Sequence, residues 1–208
     1  MPIQPRATTT TYFVHILTMC LMLLSSSACQ KSSPKEQPKP TTFTSPSAPY
    51  QLTLPPGWST FNPDIFENGA ELAANNHDQI LMVIASPIAP KPNAPKDAPA
   101  PQPDLEYFST TAIAQLKKDV DEFSVVSKQQ QNLSPRIPAV ILIADGKVNQ
   151  NKARYMIAYT GLQGWHIQLV AWSHPSNVDA LSKNFDAILS SFKTTQTTEI
   201  KTKSPQTP

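Results

Sequence analysis

Two unbroken apolar runs restrict this chain more than any other feature. They are Ile80-Leu81-Met82-Val83-Ile84-Ala85 and Pro138-Ala139-Val140-Ile141-Leu142-Ile143-Ala144, the second closed by Asp145-Gly146. A strand with one wet face alternates apolar and polar residues, so a continuous run needs cover on both sides. Two amphipathic segments can supply it. In the first, Leu105, Phe108, Ala112, Leu116, Val120 and Phe123 recur at three- and four-residue steps behind Asp104, a capping residue, with Ile113 beside them. In the second, Val178, Leu181, Phe185, Ile188, Leu189 and Phe192 form one stripe behind Ser176 and Asp179, which have capping-box spacing with Asp in place of Glu. The fold class expected is α+β, an antiparallel-rich sheet sandwiched between helices.

Further strands read from shorter signals. Tyr50 to Leu54 alternates and stops at Pro55-Pro56-Gly57, Glu71 to Ala74 is a weaker candidate, and Phe123 to Val126 begins another. Arg154–Tyr159 and Trp165–Trp172 are joined by a Gly-containing hairpin loop, Thr160 to Gly164. On the last strand Trp165, Ile167, Leu169 and Ala171 share one face, and Val170 and Trp172 lie on the other. The proline-laden stretch Pro87 to Pro103 is long for a connection, and such loops are functional or disordered.

The ends differ from this middle. Tyr12 to Leu24 is apolar, followed by Ser25-Ser26-Ser27-Ala28 and then Cys29. A run of about 13 residues is too short to span a bilayer, which takes roughly 20, but suits a cleavable export leader. Residues 1–28 are therefore expected to be a lipoprotein-type signal peptide cut after Ala28, leaving Cys29 to carry a diacylglycerol and acyl chains such as palmitate. Arg6 is the only basic residue before the core, and Ser26 stands where such signals favour Leu. An ordinary cut near Ala28, leaving a free thiol, is the alternative. Residues 29–49, rich in Pro, Ser, Thr and Lys, are expected to be a disordered tether, and 194–208 a disordered tail. Residues 50–193 form the domain.

Cysteine and charge narrow the function. Cys20 leaves with the leader, so beyond Cys29 no thiol remains for a disulfide, metal cluster or redox pair. Seventeen Lys+Arg, less Arg6, against fifteen Asp+Glu leaves +1, without the basic stripe of a nucleic-acid surface.

Tyr50-Gln51-Leu52-Thr53-Leu54-Pro55-Pro56-Gly57-Trp58 is similar to the opening Tyr-x-x-x-x-Pro-x-Gly-Trp strand of the PsbP-like family. Ile188-Leu189-Ser190-Ser191-Phe192-Lys193 resembles the close of bacterial PsbP-like lipoproteins of unknown function. The resemblance spans Tyr50 to Lys193. The family commonly has a glycine before the proline that opens the central strand, where this chain reads Pro135-Arg136-Ile137-Pro138-Ala139. What the resemblance implies is an α/β/α sandwich, no cofactor, and a role in binding or assembling other proteins. Photosystem II, the partner of photosynthetic members, is not transferred, because nothing here matches the N-terminal segment that serves it.

No catalytic set is legible. There is no Gly-x-Ser-x-Gly elbow and no Ser-x-x-Lys with its partners, and the glycines are too scattered for a phosphate loop. His166 and His174 share a strand face yet stand about 26 Å apart, too far to ligate one metal. His77, in Asn75-Asn76-His77-Asp78, could join one of them only across a turn. These histidines read as exposed turn and strand-end residues. Asp119, Asp121 and Glu122 read as a solvated helix end, lacking the loop spacing of a calcium site. Trp58 and Trp165 are expected in the core. Trp172, with His174 and His166, is the candidate contact surface. The expected function is a lipid-anchored envelope protein that binds or helps assemble other envelope proteins without catalysis. Its membrane attachment is through Cys29, and in a two-membrane cell Gln30 resembles the choice for the outer membrane, facing the periplasm. The alternative is a small-ligand binder with a pocket between sheet and helix, under the Pro87–Pro103 loop.

Overall fold

In the computed structural model, residues 38–66, 69–89, 95, 98–134, 136–162 and 164–195 are described. The signal peptide, Ala28 and Cys29 lie outside them, as does most of the tail. The strands are β1 (Thr41–Thr44), β2 (Tyr50–Leu54), β3 (Ser59–Phe61), β4 (Ala70–Asn76) and β5 (Gln79–Pro87). After helix α1 (Leu105–Asp119) come β6 (Asp121–Ser134), β7 (Ile137–Val148), β8 (Asn151–Leu162) and β9 (Trp165–Ser173). Helix α2 (Val178–Ser191) and β10 (Lys193–Thr194) close the domain. Seven strands form one antiparallel sheet in the order β3-β4-β5-β9-β8-β7-β6. A smaller sheet, β1-β2-β10, packs with α2.

The apolar runs divide between two faces because successive strand residues point opposite ways. In β7, Ala139, Ile141 and Ile143 meet the core under α2, whereas Val140, Leu142 and Ala144 meet the core under α1. In β8, Met156 and Ala158 go to the α2 side, and Tyr155, Ile157 and Tyr159 to the α1 side. The α+β class is therefore the one observed, and the doubly apolar strands are its cause. On the α2 side Leu181, Phe185, Ile188 and Phe192 are buried, and Phe192 stacks on Tyr50 at 5.2 Å. Trp58 and Trp165 belong to this core, the latter partly buried.

Three local expectations are corrected. Residues 41–44 are a strand, not part of a tether: β1 pairs antiparallel with β2, Thr41 opposite Leu54 through Thr44 opposite Gln51. Phe43 packs on Tyr50, Ala48 is buried, and Ser45 Oγ accepts the Ala48 N–H at 2.8 Å, which holds the connecting turn. Threonines that read as solvating are also good strand residues. At the other end Thr194 extends the domain by a residue, since Lys193 and Thr194 pair with Gln51 and Tyr50. The capping box before α2 does not form. Asn177 is the N-cap but its side chain makes no cap hydrogen bond, and Ser176 instead engages His174 Nδ1 in the preceding turn.

Candidate functional site

The first turn of α1 is where the described structure gathers polar groups over the sheet. Asp104 Oδ1 accepts the Tyr107 N–H at 2.9 Å, the cap expected from sequence. That fixes the helix start, so Leu105 and Phe108 face the sheet. Phe108 stacks on His166 with ring centroids 4.2 Å apart and nearly parallel planes. It also meets Tyr159 edge-on at 5.4 Å. Neither His166 Nε2 nor the Tyr159 hydroxyl, both buried, has a hydrogen-bond partner among the described residues. Burial pulls the His166 pKa below its usual value, opposed by the charge of Asp104. Burial also raises the Tyr159 pKa, so that phenol stays protonated.

The end of the proline-rich loop is strapped to the same place. Gly164 N–H donates to Pro101 O at 3.0 Å and Ile88 N–H to Gly164 O at 2.8 Å, tying both ends of the loop to the β8–β9 hairpin. Pro103 lies against Gly161, where an added Cβ would sit 2.3 Å from the proline's own. Only glycine admits that approach. Beside the strap an open cleft of about 460 Å³ is lined by Pro103, Asp104 and Leu105, by Gln130, Gln131 and Asn132, and by the start of β7.

The three candidate contact residues do not form one surface. His166 lies under Phe108 and is not the exposed strand residue expected. Trp172, six residues along β9 and hence about 20 Å away, packs between Phe66 and Tyr155 on the α1 side. His174 is exposed just past the strand. Its turn does come beside that of His77, which has φ of 54°, through an Asn177–Asp78 hydrogen bond. Among the described residues no three His, Cys, Asp or Glu side chains converge as metal ligands would. Asp119 accepts from Gln115, and Glu122 pairs with Lys147. The His166–Phe108–Tyr159 cluster was invisible to sequence reading because it depends on where α1 lands; the sole signal was helical spacing that placed Phe108 on the inner face.

Neither a protein-family model nor a curated protein matches the sequence. Solved structures do match. Cyanobacterial PsbP (CyanoP) from Synechocystis is similar at 15% identity with a TM-score of 0.56, over 79% of this chain and 98% of that one. The fold is PsbP-like. LpqN, involved in cell envelope biogenesis of Mycobacterium tuberculosis, is similar at 15% identity and a TM-score of 0.51, over 78% of this chain and 87% of that one. Within the described residues no helix is long and apolar enough to cross a membrane.

Proposed function

We propose that this protein is exported and held at a membrane by acyl chains on Cys29. In this reading its PsbP-like domain acts without catalysis, by binding or helping to assemble other envelope proteins. The observation that carries the reading is the join between a short apolar leader ending at Cys29 and a fold shared with LpqN, a protein involved in cell envelope biogenesis. Two or more acyl chains give durable attachment, at about 0.8 kcal/mol per buried methylene. In a two-membrane cell Gln30 favours the outer membrane. Metabolic labelling with a clickable palmitate analogue tests the anchor. Label on the wild type and none on Cys29→Ala is expected; an unlabelled wild type or a labelled variant refutes it. Crosslinking in intact envelopes tests the role. Recovery of the domain in defined complexes is expected, and recovery as a lone species at native abundance counts against it.

The cleft beside α1 favours a second reading, a small-ligand binder that uses the space between sheet and helix at the end of the proline-rich loop. An extract of envelope metabolites should then raise the melting temperature of the protein, and a flat response ends that reading.

A further inference from the structure

The seven-stranded sheet stops at β6, and no strand lies beyond it among the described residues. At the opposite edge β3 has three residues; β6 has fourteen. Every residue from Ser124 to Asn132 is exposed, including Val125 and Val126 at 40% and 54%. A long bare edge presents backbone donors and acceptors that invite another strand, and proteins commonly blunt such edges with lysines and bulges. Here β6 carries both, so their placement decides the matter.

The register breaks fall between Asp121 and Ser124, between Val125 and Ser127, and between Asn132 and Ser134. Between the last two, Ser127 to Asn132 pairs residue for residue with Ile143 to Pro138, a regular stretch of six. The one charge within it is drawn aside, with Lys128 Nζ 2.8 Å from Glu106 Oε1 on α1. What remains along the edge is Ser127, Gln129, Gln130, Gln131 and Asn132, neutral side chains that both donate and accept.

We propose that this stretch pairs with its own counterpart in a second copy of the chain, antiparallel about a two-fold axis perpendicular to the sheet. Such an axis keeps the α1 faces of both copies on one side, so a residue must meet one pointing the same way. The axis then passes through Gln129 or Gln130. In the first case Lys128 meets Gln130 of the second copy, in the second Asn132. Both registers set amide against amide and avoid opposing like charges. Pairing over six residues covers less than the roughly 1,200 Å² of a stable complex. It is therefore weak in dilute solution and strengthened where attachment to one membrane concentrates the copies. That enhancement, though not the edge geometry, rests on the anchor proposed above.

The test uses the full chain in its own envelope. Its only cysteines are Cys20 and Cys29, both in or at the end of the leader, so an introduced cysteine is the lone thiol of the acylated domain. Gln129→Cys and Gln130→Cys are compared with Ser59→Cys on the other edge under mild oxidation. A disulfide-linked dimer from one of the β6 variants, severalfold above Ser59→Cys, is expected. No dimer from either, or an equal yield from all three, overturns the proposal, and so does a disulfide to a different protein. Palmitate-analogue labelling of the same variants separates the two ideas. Label without dimer sinks the pairing alone; dimer without label sinks the anchor alone.

Discussion

The two faces of the large sheet are covered to different depths. Under α2 the helix contributes Leu181, Phe185, Ile188 and Leu189, all buried, and the β1-β2-β10 sheet adds Tyr50, Leu52 and Leu54. Under α1 the only fully buried helix residue is Ser109; Leu105, Phe108, Ala112, Ile113 and Leu116 stay half-exposed. One helix on each face thus carries unequal packing. Burial of apolar area contributes about 25 cal/mol per Å², so the α2 face holds more of the stability. The α1 face has room for a histidine, an unpartnered tyrosine hydroxyl and an open cleft. Elements with few buried contacts are also the ones that open first.

The largest expected effect tests the tight face. Phe185→Ala should destabilise the domain by about 3–5 kcal/mol, measured by urea unfolding. Phe108→Ala, truncating a half-exposed ring on the looser face, should cost about half as much by the same measure. If the two losses are equal, the contrast between the faces fails.

Tyrosine hydroxyls sharpen it further. Tyr50 Oη donates to Glu71 Oε2 at 2.9 Å, and burial, with the Glu71 charge second, keeps that phenol protonated. Removing this hydroxyl in Tyr50→Phe should cost about 1–3 kcal/mol, because a hydrogen bond to a half-buried carboxylate is lost, although Ser45 Oγ still donates to Glu71 Oε2 at 2.7 Å. Tyr159→Phe removes a hydroxyl that has no partner among the described residues and should be neutral or slightly stabilising. Thermal melts of both variants check the pair, and a larger loss at Tyr159 would reverse the argument.

The smallest effect depends on pH. The His166 pKa is depressed in the folded chain relative to 6.5, because burial disfavours the charged ring more than Asp104 favours it. The unfolded state therefore binds the proton first. Stability should be complete above pH 6.5 and decline as pH falls below it. His166→Phe should remove that part of the decline. Asp104→Asn should steepen it, although loss of the cap charge also lowers the plateau. Urea midpoints measured from pH 8 to 5 test both signs.

Much of this was readable from residues alone, for physical reasons that can be named. The doubly apolar runs of β5 and β7 and the two helical stripes reflect burial, which leaves a periodic trace. Strand β6 left little trace past Val126. An exposed edge has no apolar face to write into its sequence, and Ser-Lys-Gln-Gln-Gln-Asn reads as a loop. Strand β1 was missed because four exposed or half-exposed residues, three of them Thr, are specified by backbone pairing to β2. At the candidate site, Asp104 was legible as a cap and Phe108 as an inner residue. Their meeting with His166 was not, because a contact spanning about 60 residues depends on how the loop returns the helix, which local pattern does not encode.

Strand β2 holds β1 on one side and β10 on the other, and β1 is the first of the described elements in the chain. Its four residues can detach from β2 while the seven-stranded sheet keeps every rung, paying out about 14 Å of chain. The little sheet is thus the part expected to yield first if the chain is pulled, before the body of the protein deforms.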